Sequence, residues 1–131
     1  APVGHVDLAP TICAAAGLAV PDWMQGAPLP TAADDPGGHE RTITEWQDGF
    51  GGADITMRTL YRDGYICTAY EKTNYYEDGV GELYNLSEDP RQWRNLWDDR
   101  AHQSLKSDLV ADLYDNLPEG RGDVLEKVAQ V

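Results

Sequence analysis

The stretch "GELYNLSEDPRQWRNLW", residues 81–97, predicts a strand, a turn and the approach to a helix in quick succession. Residues 82–86 would form the last strand of a sheet, since aromatic side chains are enriched in strands. The "SEDP" that follows would end the strand, because proline cannot donate to a β-ladder and favours turns. We predict that Trp93, Leu96 and Trp97 pack as anchors where the chain enters the helix.

The predicted helix covers about residues 100–117. In "DDRAHQSLKSDLVADLYDNL", an apolar stripe repeats every four residues and the other positions are mostly charged or polar. The stripe comprises Ala101, Leu105, Leu109, Leu113 and Leu117, with Val110 beside them. Asp98 or Asp99 would cap the start of this helix, and Pro118 follows its end.

Residues 41–72 carry the period of two that is typical of strands. "RTITEW" places Ile43 on one face of a strand, and "ITMRTLYRDGYICTAYEK" predicts a hairpin that turns at Asp63-Gly64, a pair that adopts positive φ easily. The intervening "QDGFGGAD", 47–54, predicts a glycine-rich loop. The fold class is therefore α+β: a small antiparallel sheet of about four strands, covered by the C-terminal helix.

Residues 1–38 predict a helix and an extended connector in place of strands. "HVDLAPTICAAAGLAV", 5–20, predicts a helix over 7–16, with Asp7 capping its first turns and Gly17 at its end. Its apolar residues recur at helical spacing: Val6, Leu8, Ile12, Cys13 and Ala16. An extended connector rich in Pro and Gly follows. We predict a boundary that separates residues 1–38 from residues 39–131.

Composition limits the size of the fold and the classes of partner. The chain has 131 residues, 41% of them apolar, which is sufficient for one ordinary core. Its formal net charge of −13 repels phosphate backbones and anionic lipid, so nucleic acid is disfavoured as a partner. No stretch is apolar for long enough to span a bilayer. The chain does not begin with Met and opens on an apolar helical run, which is typical of a fragment or a processed product.

Cysteine and histidine spacing indicates no catalytic or metal site. Cys13 and Cys67 lack C-x-x-C spacing, so two core thiols are favoured, while a single disulfide stays open. The histidines have no H-x-x-x-H spacing and are predicted at the surface or at helix ends: His5, His39 and His102. Two adjacent acidic pairs suit a solvated loop and a helix start better than a metal: Asp34-Asp35 and Asp98-Asp99.

Three segments in this order resemble the C-terminal part of the sulfatase family, within the alkaline-phosphatase-like superfamily. The first is similar to a D-x-x-P-T helix followed by A-G, Pro, Gly and Leu, matched by Asp7, Pro10, Thr11, Ala16, Gly17, Pro21, Gly26 and Leu29. The second resembles a hairpin with an R-T pair, Arg58 and Thr59. The third resembles E-L-Y-D-L, D-P and N-L, matched by Glu82, Leu83, Tyr84, Leu86, Asp89, Pro90, Asn95 and Leu96.

The resemblance implies that this sheet and helix dock on a large α/β catalytic domain, to which the N-terminal helix and connector would belong. It also implies a formylglycine, made from a C/S-x-P-x-R motif, and a divalent metal, calcium or magnesium, in the complete enzyme. No Cys or Ser of this chain has that motif. Two departures from the family are Asn85 in place of Asp, and the missing Lys near Ile66; both concern structural pairing.

In such enzymes, the C-terminal subdomain can contribute to the rim of the substrate pocket. Trp46 and Gln47 are the candidates here, since an aromatic ring and an amide beside a glycine-rich loop suit sugar-like substrates. Packing of Trp46 as an anchor of the sheet is the alternative, and we favour it. Cross-strand packing is also predicted for the tyrosines: Tyr61, Tyr65, Tyr70, Tyr75, Tyr76 and Tyr84.

We therefore expect the C-terminal region of a sulfuric ester hydrolase, structural and pocket-shaping, and inactive by itself. Its partners would be the catalytic domain and, in the full enzyme, a sulfated small molecule or sugar; a homo-oligomer is compatible with this. Two alternatives stay open: the same region of a phosphoester or phosphonate hydrolase, and a free-standing interaction module without catalysis.

Overall fold

The computed structural model describes residues 2–32, 37–50 and 53–117. It contains one antiparallel sheet in which neighbours along the chain are neighbours in space, in the order β1-β2-β3-β4. The strands are β1 (Arg41–Phe50), β2 (Ala53–Arg62), β3 (Tyr65–Tyr70) and β4 (Gly81–Asn85). Two helices complete the described chain: α1 (Leu8–Ala15), preceded by a 3-10 helix His5–Asp7, and α2 (Gln103–Asp115), preceded by a 3-10 helix Arg100–His102. The predicted fold class is confirmed.

The turn between β2 and β3 follows the sequence prediction. Asp63 and Gly64 both have positive φ, 53° and 80°. A two-residue loop of this type matches the twist of the strands that it joins. Register then follows from the turn, and it places Leu60 opposite Cys67.

The predicted loop at 47–54 is wrong. β1 continues to Phe50 and β2 resumes at Ala53, with Gly49 opposite Asp54. β3 ends at Tyr70, opposite Met57, so the end of the β1–β2 hairpin continues past β3. We call this projecting part, residues 47–50 and 53–56, the arm. Pairing between the two strands supplies the hydrogen bonds that a glycine-rich sequence does not reveal.

The core lies between the sheet and α2. Ile43, Leu60, Cys67 and Leu83 stand opposite one another across the four strands, and the last three have no exposed surface. Leu109 and Leu113 of α2 are also buried in this cluster, with Leu105, Val110 and Leu117 packed at its margin. The predicted stripe is confirmed apart from Ala101, which is exposed because it lies in the 3-10 turn before α2.

Ion pairs add to the packing between α2 and the sheet. The carboxylate of Asp112 accepts hydrogen bonds from Arg41 Nε at 3.1 Å and from Arg62 at 2.5 Å. Arg62 also pairs with Asp108, one turn earlier on the helix. Because side chains alternate along a strand, Arg62 lies on the same face of β2 as the buried Leu60. The charges therefore border the apolar contact.

The outer edge of β4 is closed by the segment that follows it. Asn95 Oδ1 accepts the Leu83 and Trp97 backbone N–H groups at 3.0 and 2.9 Å, and Asn95 Nδ2 donates to the Gly81 carbonyl at 3.2 Å. The Leu96 N–H donates to the Leu83 carbonyl at 2.8 Å. The "NL" of the opening stretch is therefore what seals this edge.

Two of the three predicted anchors are buried. Leu96 and Trp97 are 6% and 7% exposed, and the Trp97 ring lies against Gly81, where a Cβ would come within 2.4 Å of it. Trp97 Nε1 also donates to the Gly79 carbonyl at 2.9 Å. Trp93 is 79% exposed, so its prediction as an anchor is wrong; it lies just after a turn, beside the guanidinium of Arg91. No described helix has the length and apolarity to cross a membrane.

Candidate functional site

The described residues do not form a metal or nucleophile site. Within residues 2–32, 37–50 and 53–117, no three His, Cys, Asp or Glu side chains converge as metal ligands would. The metal and the formylglycine that the resemblance implies therefore do not fit this part of the chain. Cys67 is buried and Cys13 half-buried, and both are free thiols. Burial raises the pKa of the Cys67 thiol to about 11, which keeps it protonated and inert.

The first cluster with built geometry centres on Asp7, which is 1% exposed. Its carboxylate accepts the Gly4 N–H at 2.7 Å, the Ala27 N–H at 2.8 Å and His39 Nε2 at 2.7 Å. Asp7 was predicted to cap the helix, but its side chain caps no N–H of α1. The reason is that its carboxylate is taken up by partners from outside α1.

Thr11, one turn along α1, extends the cluster. Its hydroxyl donates to the Asp7 carbonyl at 2.6 Å and accepts the Leu29 N–H at 2.8 Å. The connector passes so close at Gly26 that an added Cβ would lie 2.1 Å from the Val6 carbonyl oxygen. We call Asp7, Thr11 and His39 the clasp, since together they tie helix, connector and sheet entry.

The surroundings of Asp7 favour the ionised form of its carboxylate. Burial raises the pKa of Asp7, but hydrogen bonds from Gly4, His39 and Ala27 outweigh that effect and hold it below its ordinary value of 3.8. His39 was predicted at the surface; its side chain is only 29% exposed. Sequence reasoning missed it because its partner lies far away along the chain, and the D-x-x-P-T motif was the only signal.

The predicted rim residues lie at the base of the arm and are exposed. Trp46 and Gln47 pair with Met57 and Thr56 across the hairpin, and Trp46 is 41% exposed. Packing of Trp46 as a sheet anchor was the favoured alternative, and this exposure does not support it. Because strand side chains alternate, the two point to opposite faces: Gln47 to the α2 side and Trp46 to the other.

Aromatic side chains continue from Trp46 across the face opposite α2. Tyr70 is the next neighbour beyond Met57, and it stacks on Tyr76 at 4.3 Å between ring centroids. Tyr75 meets Tyr76 edge-on at 5.6 Å and is 70% exposed. Burial, followed by the charge of Glu82 and a hydrogen bond to it, raises the pKa of Tyr70 to about 12. Cross-strand packing therefore does not describe Tyr75 or Tyr76, which lie outside the strands, and the ring stacked on Tyr70 is Tyr76 of the β3–β4 connection.

The remaining predicted residues stay apart from these clusters. Asp99 accepts the Ala101 N–H at 3.0 Å, the capping role predicted for it, and contacts His102 at 3.2 Å. His5 is exposed. Asp34 and Asp35 lie outside the described residues.

Two surfaces of this chain are apolar without a cover among the described residues. The first, the α1 ridge, is exposed at 50–69% and comprises Val6, Leu8, Ile12 and Leu18. The second, the open face, is the side of the sheet opposite α2. Its half-buried apolar and aromatic side chains are Met57, Tyr61, Ile66, Tyr70 and Tyr84. Surfaces of this kind mark interaction sites.

Comparison with known proteins identifies the family of this chain. A family model described as N-sulphoglucosamine sulphohydrolase, C-terminal, matches residues 2–118. A Delta 4,5-hexuronate-2-O-sulfatase of Bacteroides thetaiotaomicron is 28% identical over 131 residues, covering 93% of this chain and 26% of the relative. The chain thus spans about a quarter of the length of that relative.

Solved structures of sulfatases also resemble this chain. A 2-O GAG sulfatase is 30% identical with a TM-score of 0.69, over 83% of this chain and 23% of that one. A protein solved in complex with its substrate D-Glucosamine-2-N, 6-O-disulfate shares the fold, with a TM-score of 0.64 at 20% identity, over 83% of this chain and 22% of that one.

Proposed function

Because the chain belongs to the family of the sulfatase C-terminal domain, N-sulphoglucosamine sulphohydrolase, C-terminal, we propose that it completes a sulfuric ester hydrolase whose chemistry resides in other segments. In this proposal the chain is structural and pocket-shaping, and it is inactive by itself. The formylglycine and the divalent metal belong to the catalytic α/β domain. A sulfated small molecule or sugar is the substrate of the complete enzyme.

The observation that carries the structural role is the pair of uncovered surfaces. The α1 ridge exposes Ile12 at 69% and Leu18 at 63% to solvent, although the sheet beside it has a filled core. Burying such side chains is favourable by about 1.5–3 kcal/mol each. In a complete enzyme as long as the relative, of which this chain covers 26%, a large domain would bury them. We assign both surfaces to contact with that domain.

The test compares this chain with the longer protein that carries it. The 131-residue chain should not hydrolyse an aryl sulfate in the presence of calcium or magnesium, whereas the longer protein should. Clear hydrolysis by the chain alone would overturn the proposal. A longer protein that cleaves phosphonate esters and leaves sulfate esters intact would assign the chain to the phosphoester branch of the superfamily.

Trp46 and Gln47 are proposed as contributors to the substrate rim. Support comes from the exposure of Trp46 and from its place at the base of the projecting arm. In the longer protein, Trp46→Ala should raise KM for a sulfated sugar by about tenfold, which corresponds to about 1.4 kcal/mol of lost contact. Trp93→Ala, which removes a more exposed indole from the segment after β4, should leave KM unchanged. Equal effects of the two substitutions would refute the rim assignment.

A further inference from the structure

The clasp lies where the chain passes from α1 to the sheet, in a part of the chain where α1 buries Pro10 and leaves its other apolar side chains half-buried or exposed. Among the described residues, α1 has no extensive contact with any strand. A groove of about 340 Å³ separates the two parts, with Val6 and Gln25 on one wall and Ile43, Glu45 and Asn116 on the other. Direct packing of α1 on a strand is therefore limited.

Directed hydrogen bonds connect α1, the connector and the sheet entry instead. The Asp7 carboxylate binds the connector at Ala27 and the sheet entry at His39, and the His39 N–H donates to the Pro2 carbonyl at 3.1 Å. Bonds to a buried, ionised carboxylate are strong and directional. Several of them that converge on one side chain from separate segments define an orientation, which a single contact cannot do.

The position of His39 connects the clasp to the arm. His39 comes just before Arg41, the first residue of β1, and β1 then runs without a break to Phe50. At about 3.3 Å per residue, the tip of the arm lies roughly 35 Å along the chain from His39. A small rotation at His39 is therefore amplified at Trp46 and beyond it.

We propose that the clasp is the device that fixes the orientation of the sheet and its arm relative to α1, with Asp7 and His39 as positioning residues. The inference rests on the proposed function in one respect: α1 matters as a reference only because the catalytic domain covers its ridge. Through the clasp, the docking of α1 determines where the arm is placed.

The test measures the orientation directly in this chain. Nitroxide labels are attached at Ala14→Cys on α1 and Thr44→Cys on β1, both exposed positions, in a Cys13→Ser background. Cys67 has no exposed surface and stays unlabelled. Pulsed electron paramagnetic resonance then gives the distribution of distances between the labels. In His39→Ala the distribution should become about twice as wide as in the parent, because the sheet entry is released.

Two variants make this result specific. His39→Gln retains an amide donor for Asp7 and should restore most of the parent width. His102→Ala removes the second Asp–His contact found among the described residues, to Asp99, which lies outside the clasp, and should leave the width unchanged. A parent-like width in His39→Ala, with the helix signal of α2 intact by circular dichroism, overturns the proposal. If His39→Ala loses that signal, Thr11→Val, which removes the acceptor of the Leu29 N–H, takes its place under the same criterion.

A second readout separates this inference from the proposed function. In the longer protein, His39→Ala should raise KM for a sulfated sugar and leave kcat for a small aryl sulfate unchanged. If His39→Ala widens the distance distribution but the unsubstituted longer protein has no sulfatase activity, the inference about the clasp holds and the proposed function is refuted. If His39→Ala leaves the width unchanged and the unsubstituted longer protein hydrolyses sulfate esters, the proposed function holds and the inference about the clasp is refuted.

Discussion

At Gly26, the path of the chain depends on the absence of a Cβ atom. The connector and the 3-10 helix approach so closely there that only a hydrogen fits where other residues carry Cβ. The family pattern of a Gly ahead of a Leu thus has a steric cause: Gly26 lets the Ala27 N–H reach Asp7 at 2.8 Å.

Gly26→Ala should therefore lower the free energy of unfolding by about 1–3 kcal/mol, since the Cβ would displace backbone atoms on both sides. Chemical denaturation measures this. Gly4→Ala is the matched control, because its Cβ would meet Val6 Cγ2 at an ordinary 3.7 Å, and it should change stability by less than about 0.5 kcal/mol. Equal losses for the two variants would contradict the steric explanation.

The Asp7 carboxylate also predicts a pH dependence. Its folded pKa lies below 3.8, so its contribution to stability is present above that value and is lost as the pH falls through the folded pKa. Asp7→Asn should be less stable than the parent at neutral pH and should lose less stability on acidification below about pH 4. Asp22→Asn, an exposed connector carboxylate, serves as control and should follow the parent curve. A parent-like acid dependence in Asp7→Asn would contradict the argument.

Residue chemistry alone did not distinguish Trp93 from Trp97. Both follow the same turn and both are apolar, yet one is buried and the other exposed. The difference comes from Gly81, which leaves room for the Trp97 ring on β4 and lies outside the local sequence of either tryptophan. Likewise, His39 meets Asp7 only through the fold. Local patterns predicted the motifs, while the partners that occupy them come from distant segments.

Elements with strong periodicity were predictable and the glycine-rich one was not. The stripe of α2 and the turn at Asp63-Gly64 follow from local spacing and from φ preference. The arm contains Gly49 among its paired residues, and glycine is depleted in strands. Its strands exist because each supplies the other's hydrogen bonds across the hairpin, a non-local cause that propensity does not report.

At the level of elements, Asp112 should hold α2 on the sheet. Its side chain is 12% exposed between Arg41 and Arg62, so removing its charge leaves two guanidinium groups without this partner. We expect Asp112→Asn to cost about 2 kcal/mol, measured by denaturation at low salt. Asp115→Asn, on an exposed position of the same helix, should cost less than about 0.5 kcal/mol. A cost for Asp112→Asn as small as that would show that apolar packing alone holds the helix.

For the whole molecule, the α1 ridge makes the chain and the longer protein respond differently to one substitution. Ile12→Ala should leave the stability of this chain nearly unchanged, because Ile12 is 69% exposed in it. In the longer protein, where the ridge is proposed to be covered, the same change should cost about 2–4 kcal/mol. Leu113→Ala, in the core of this chain, should destabilise both. Equal effects of Ile12→Ala in the two proteins would remove α1 from the proposed interface.

The closure of β4 by Asn95 and Leu96 has a consequence for assembly. A sheet that grows into a fibre must accept a strand at each side, and every unpaired side is a template for the next molecule. Here the outer side of β4 is bonded by Asn95 and Leu96, whereas the outer side of β1 has no such partner among the described residues. If copies of this chain pair through strands, we expect them to do so at β1, which gives a two-fold pair instead of a growing sheet.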